Sequence, residues 1–360
     1  MRVFVTGANG VIGGAVASAL IADGHKVRGL VRDKVKADAV AAYGVEAVIG
    51  SLDDPALLQA EARATDAVAN AASSDHRGAV EALIAGLAGS GKPLLHTSGS
   101  SIVADLAMGE PSDRIFDEGT PIEPQAEKAA RVAIDRLVLN APGIRSVVLC
   151  NSMIYGNALG PPARSVQIPA LAAQAKASGI ACYIGRGLNR WSNVHIADVA
   201  ALYALIITRA RAGTFMYVES GEAALGEIVR AIAARLGLGA AQSWPAEEAI
   251  AAWGRNMAVF SLGSNSRVRG KAAADLGWSP TRRSVTQTYR RTFWASPAGL
   301  CALKIAERGQ TRVTIAFAMA SCEEDGFPGH KRVHARLPTR YARQITGTVR
   351  QGLHPEISVM

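Results

Sequence analysis

The chain opens on a short apolar run, Arg2-Val3-Phe4-Val5, which stops at Thr6-Gly7-Ala8-Asn9-Gly10-Val11-Ile12-Gly13. It then passes at once into small and apolar residues over 11–22. A strand, a glycine-rich turn and a helix in that order leave few folds open. Glycines at this spacing let the backbone turn off a strand, approach a ligand closely and seat the next helix on the sheet. The start of that helix offers free N–H groups and the positive end of its dipole, a place for an anionic diphosphate. Thr6, Gly7, Asn9, Gly10, Val11, Ile12 and Gly13 are therefore expected to bind a dinucleotide.

Alternation continues for the first 150 residues. The pattern predicts strands over 26–31, 47–49, 67–70, 93–97 and 146–150. It predicts helices over 36–43, 55–62, 78–88 and 126–139. Strand and helix alternating at this spacing make an α/β fold, a Rossmann-type doubly wound parallel sheet. After Tyr155-Gly156 the texture changes to a Gly/Pro-rich loop over 157–163. Helices near 166–177, 197–208 and 225–236 follow, with a short element at 191–195. These predict a dinucleotide-binding domain over 1–150 and a smaller C-terminal substrate-binding part over 151–294. Residues 295–360 are rich in Arg and weakly periodic, and read as a tail in which 311–319 could form one strand or helix.

No window approaches the ~18 uninterrupted apolar residues of a membrane span. The N-terminus carries no signal-like segment, so a cytoplasmic protein is expected. Cys150, Cys182, Cys301 and Cys322 have neither metal-ligand nor redox spacing, which points to reduced thiols and no metal. The net charge of +9 is spread over the chain without aromatic interleaving. That favours a solvated basic surface over a nucleic-acid partner. The end of the second strand selects the nucleotide. An acid there would bind the ribose hydroxyls of NAD, but Val31 is followed by Arg32, with Arg28 earlier in the run. A guanidinium beside the ribose suits a 2′-phosphate. NADP is expected, with NAD as the alternative, should Asp33 reach the ribose instead.

Several segments together resemble the short-chain dehydrogenase/reductase superfamily, in its extended and atypical branch with the NAD-dependent epimerases/dehydratases. Thr6 to Gly13 resembles the branch's TGxxGxxG loop. Gly50-Ser51-Leu52-Asp53-Asp54 is similar to its GDLxD segment near the adenine, with Ser51 in place of the acid. Asn70-Ala71-Ala72-Ser73 is similar to the stretch that lies along the cofactor. Asn193 to Ala200 resembles VHVxDVA, and Asn265-Ser266-Arg267 with Leu276 to Pro280 resembles the closing segment. The likeness covers residues 1–290. It implies that Ser51, Leu52, Ala71 and Ala72 line the cofactor.

The resemblance also implies a catalytic Ser, Tyr and Lys, and here the chain departs from it. The Tyr position falls on Glu127 and the Lys position on Arg131. The Ser position falls near Gly99, between Ser98 and Ser100. Cys150 stands where many relatives have Arg. An atypical subgroup carries His-x-x-x-Arg, and this chain is similar to it with Glu for His. At i,i+4, Glu127 and Arg131 can pair, which favours Glu127 as a carboxylate base and leaves Arg131 to hold the nicotinamide ribose. Ser98 and Ser100 are the expected oxygen-polarising donors. His195 and Asp198 read as polar groups at a helix start, and Tyr155 as a packing residue.

The function these features favour is an NAD(P)-dependent oxidoreductase acting on a small carbonyl or alcohol. The alternatives are a non-catalytic NADP-binding redox sensor or scaffold, and a nucleotide-sugar epimerase or dehydratase. The helices over 78–88 and 126–139 are available to pair two copies in a homodimer.

Overall fold

The structure, a computed structural model, describes residues 1–291. The expected tail over 295–360, its element over 311–319, and Cys301 and Cys322 lie outside the described residues. Along the first part run β1 (Arg2–Thr6), α1 (Val11–Ala22), β2 (Lys26–Val31), α2 (Lys34–Ala41), β3 (Glu46–Ile49) and α3 (Pro55–Ala64). Then come β4 (Ala67–Asn70), α4 (Arg77–Leu87), β5 (Pro93–Gly99), a 3-10 turn at Ser100–Val103, α5 (Ala126–Leu139) and β6 (Arg145–Asn151). Val3, Phe4 and Val5 are wholly buried, which is why this strand reads as a continuous apolar run rather than an alternating one.

In this first part, the two helices whose starts differ from the sequence pattern start at caps. The Asp33 side chain accepts from the Lys36 amide, so α2 begins two residues earlier than expected. His76 does the same for the Ala79 amide and starts α4 at Arg77.

The second part holds β7 (Met153–Tyr155), α6 (Gln167–Ser178), β8 (Cys182–Ile184), β9 (Arg190–His195), α7 (Ile196–Arg209) and β10 (Thr214–Val218). It continues with β11 (Gly221–Ala224), α8 (Leu225–Leu236), β12 (Gln242–Trp244), α9 (Ala246–Trp253) and α10 (Arg255–Met257). A π-helical turn at Ala258–Leu262, α11 (Ala272–Asp275) and α12 (Val285–Arg291) complete it. The central sheet has seven parallel strands in the order β10-β6-β5-β4-β1-β2-β3. A three-stranded sheet, β11-β9-β7, and the pair β12-β8 stand apart from it.

The order runs outward from β1 in both directions, so the loops at the carboxyl ends of β1 and β4 diverge and open a crevice. The edge strand β10 comes from the second part of the chain, paired along β6. Helix α7 packs on α1 through the same apolar cluster that holds Val5, Val16 and Leu20. The boundary expected near residue 150 thus falls within the sheet, whose edge strand β10 comes after it.

Candidate functional site

Strand β1 ends at Thr6, and Gly7 takes φ +69, a left-handed turn that a side chain would strain. A Cβ on Gly7 would also lie 2.8 Å from the Ala71 carbonyl oxygen. Gly13 sits so close under the loop that a Cβ there would fall 2.2 Å from the Gly7 oxygen. Gly10 is different, since a Cβ there would meet only the Gly7 oxygen, at 3.2 Å, and otherwise open space. The loop is therefore packed shut behind and open in front. No side chain caps α1, and its first intrahelical bond is Gly14 N–H to Gly10. The amides of Val11, Ile12 and Gly13 consequently have no partner within the helix. This cradle fits a diphosphate.

Thr6 has an internal task. Its Oγ accepts from the amides of Ala71 (3.1 Å) and Ala72 (3.2 Å) and donates to Asn70 Oδ1 (2.6 Å). It ties the β4 loop to β1, and Ala71 and Ala72 line the crevice with their amides already used.

The crevice has a volume of about 400 Å³, within the range of small-ligand sites. Asn9, Gly10, Arg32, Ser51, Leu52 and His76 are among its walls. At its far end two arginines differ. Arg28 is bound to Glu61 through Nε and Nη2, both at 2.7 Å, and to Glu46. Arg32 is exposed and makes no hydrogen bond or ion pair among the described residues. Asp33, the acid that could reach a ribose, is held instead by Lys36 through both backbone and side chain. His76 bridges this end: Nδ1 accepts from Ala79, and Nε2 lies 2.9 Å from Asp53 Oδ1. The sequence reading missed His76, although a polar residue just before an apolar helical run signals a cap.

Beyond the β4–α4 loop lies α5, packed on β5, β6 and α4. Its inward face carries Lys128, Val132, Asp135 and Val138, all buried, with Arg131 only partly exposed beside them. Glu127, one residue from Lys128, points outward. It stays half exposed, 3.6 Å from Arg255. The expected Glu127–Arg131 pair does not form: i,i+4 leaves the two within reach on one face, but Glu127 turns to Arg255 and Arg131 is taken by Asp75. Arg131 instead donates from Nε (2.8 Å) and Nη2 (2.5 Å) to Asp75 on the β4–α4 loop. Burial works against the charged guanidinium, yet the Asp75 hydrogen bond keeps it firmly protonated.

Nη1 of Arg131 donates to Ser101 Oγ at 3.2 Å. Ser98 and Ser100, the expected donors, turn elsewhere: Ser98 donates to Asp135 (2.7 Å) and Ser100 accepts from Ser266 (2.8 Å). Both are buried, so Ser101, the third serine of the cluster, is the hydroxyl that meets Arg131. Only the path of the 3-10 turn after β5 separates these neighbours.

On β6, Cys150 is wholly buried and its thiol is pushed well up by burial. His195 caps α7, its Nδ1 accepting from Ala197 at 3.1 Å, and burial takes its imidazole down to about 4. Asp198 accepts from the amides of Thr281 (3.2 Å) and Arg282 (3.0 Å). The buried Tyr155 hydroxyl donates to the Arg282 carbonyl at 3.1 Å. Neither His195 nor Asp198 hydrogen-bonds to Arg131 or Ser101 among the described residues.

Residues 3–217 match the family described as NAD dependent epimerase/dehydratase. The chain is similar to the oxidase ucsJ of an Acremonium species, 32% identical over 322 residues, covering 78% of this chain and 92% of that protein. It is 31% identical over 176 residues to 4-hydroxy-2-methyl-3-oxo-4-farnesyl-3,4-dihydroquinoline-1-oxide ketoreductase of Stigmatella aurantiaca, covering 43% of this chain and 51% of that one. Among solved structures it is similar to a dTDP-glucose 4,6-dehydratase of Bacillus anthracis in complex with NAD (TM-score 0.64, 17% identical, 81% of this chain and 95% of that one). A UDP-glucose 4-epimerase of Thermotoga maritima with UDP-glucose is also similar (TM-score 0.63, 16% identical, 81% and 96%). At these identities the two structures establish the fold.

Proposed function

The chain belongs to the NAD dependent epimerase/dehydratase family, and from that premise we propose that it is an NADP-dependent oxidoreductase acting on a small carbonyl or alcohol. The observation that carries the reading is the uncommitted Arg32 on the crevice wall, beside an Asp33 already taken by Lys36. A guanidinium free to clasp a 2′-phosphate favours NADP, and a sequestered carboxylate removes the usual partner of NAD's ribose. The amides of Val11 and Ile12 would hold the diphosphate, and Arg131 with Ser101 would face the nicotinamide end. A bound NADPH supplies a hydride.

The chain's own residues place the substrate oxygen near donors, and Arg131 stabilises charge developing there. Among the relatives, an oxidase and a ketoreductase support redox chemistry.

Calorimetric titration tests the cofactor. NADPH is expected to bind at least tenfold tighter than NADH. Arg32→Ala should remove most of that preference, since a charge-assisted hydrogen bond contributes about 1.5–3 kcal/mol. A tenfold preference for NADH overturns the assignment. A carbonyl panel followed by NADPH absorbance tests the chemistry. Tight binding with no consumption anywhere in the panel would mark a redox-sensing scaffold instead.

A further inference from the structure

We propose that Lys128 is the group that gives the substrate oxygen its proton in carbonyl reduction and recovers it in the reverse direction. The proposal rests on the oxidoreductase reading above and answers a difficulty within it. A carboxylate such as Glu127 is a poor proton donor to a developing alkoxide, and in the structure it points away, towards Arg255.

Lys128 lies on the inward face of α5, one turn before Arg131, and is 5% exposed. A lysine this buried normally has a carboxylate partner. Here the ammonium donates one hydrogen bond, to Asn256 Oδ1 at 2.7 Å, and lies 5.1 Å from the centre of the Phe260 ring. Its other two N–H bonds find no acceptor among the described residues. The charged groups that face it are Arg131 and Glu127 on α5 and Asp75 on the β4–α4 loop. Arg255 stands over the same Phe260 ring from α10.

Both carboxylates are already engaged, Asp75 by Arg131 and Glu127 by Arg255. Burial first, and then the Arg131 charge, lower the ammonium's pKa from its ordinary 10.5, which makes Lys128 a stronger acid than a surface lysine. Asn256 and Phe260 belong to the α10 and π-helical segment of the second part of the chain. The unused N–H bonds therefore sit where α5 of the nucleotide half meets the second part of the chain. A π-helical turn at such a place is frequent in functional sites.

The step balances with the cofactor already proposed. A bound dihydronicotinamide supplies the hydride and becomes the oxidised ring. The carbonyl carbon gains that C–H bond, and its oxygen gains the π pair. Lys128 breaks one Nζ–H bond, the oxygen takes the proton, and the ammonium becomes a neutral amine. Water then restores the proton.

Two measurements on the full chain test this. In lysine labelled with carbon-13 at Cε, one signal should titrate below the ordinary lysine range and be missing from Lys128→Arg. That readout needs no turnover. With NADPH and 4-nitrobenzaldehyde or 9,10-phenanthrenequinone, Lys128→Arg should lower kcat at least ~100-fold, the scale of a general acid. NADPH affinity should stay within about threefold. The arginine keeps a cation and a hydrogen bond to Asn256 but cannot act as the acid, so a merely structural tie would spare kcat. The alkaline fall of the wild-type rate should disappear with it. Lys128→Met, checked for an unchanged melting temperature, should lose as much. Unchanged turnover in Lys128→Arg, or a Lys128 signal titrating in the ordinary range, overturns the proposal while leaving the reductase reading intact. Wild-type protein that reduces no carbonyl overturns both.

Discussion

His96 shows how one buried side chain can be oriented entirely by its neighbours. Both lone pairs of the Thr6 hydroxyl are filled by backbone amides, so its hydrogen must go to Asn70 Oδ1. That fixes the Asn70 amide, whose Nδ2 then donates to His96 Nδ1 at 3.0 Å. The imidazole is therefore neutral, with its remaining hydrogen on Nε2, 3.6 Å from Asp135 Oδ1. Burial, and after it the Arg131 charge, hold His96 down to about 4, while burial raises Asp135 to about 7. In the unfolded chain His96 takes up its proton near 6.5, and in the folded chain not until about 4. Between those values the unfolded state binds more protons, so the stability His96 contributes is full above 6.5 and is lost as pH falls towards 4. Replacing His96 by Leu removes that dependence. Urea unfolding should show the gap between wild type and His96→Leu narrowing by about 1.4 kcal/mol per pH unit between 6.5 and 4. A gap independent of pH would mean the imidazole ionises as in water. None of this was legible in the run Leu94-Leu95-His96-Thr97, which reads as an apolar strand and nothing more.

At the level of elements, α5 was legible in extent but not in orientation. Its expected span of 126–139 and its observed bounds coincide. Its inward face, however, holds Lys128, Arg131 and Asp135, where an apolar pattern would be looked for, so hydrophobic periodicity could not tell Glu127 from Lys128. The phosphate loop was readable because its glycines answer to backbone geometry, which spacing reports directly. Strand β11 is the opposite case. Gly221–Ala224 carries almost no strand signal, yet Glu222 on it gathers Arg190 (2.6 Å), Arg267 (3.1 Å) and Arg269 (2.9 Å). Burial alone would raise this carboxyl, but hydrogen bonds from the three guanidiniums bring it down to about 2. Its contribution is therefore present above about 4.5 and lost as pH falls to about 2. Glu222→Gln leaves three cations facing one another around β9 and β11. Denaturant unfolding at pH 7 is expected to show a loss of about 3 kcal/mol, the scale of breaking a partly buried ion network. A loss below about 0.5 kcal/mol would place the cluster among ordinary surface pairs.

Across the whole molecule, the texture change near residue 150 suggested a boundary that the sheet crosses. No local signal says which sheet a strand such as Thr214–Val218 will join; its partner β6 is fixed by long-range packing. Helix α7 follows the same logic, since its apolar face packs on α1 as well as on residues of its own part of the chain such as Ile154 and Val218. A fragment ending at residue 151 would lose β10 from the edge of β6 and α7 from the face of α1. Ile196, Val199, Leu202, Ile206 and Ile207 are all wholly buried on α7. Losing the burial of these five side chains removes roughly 7–15 kcal/mol at about 1.5–3 kcal/mol each, as much as the entire stability of a typical domain. Residues 1–151 alone are therefore expected not to fold, despite holding the complete phosphate loop. Residues 1–293 cluster as one compact unit and should keep NADPH affinity within about twofold of the full chain. Circular dichroism and calorimetry on the two fragments decide it. A cooperative melt and NADPH binding by 1–151 would show that the first part carries its own core, and that β10 and α7 only decorate it.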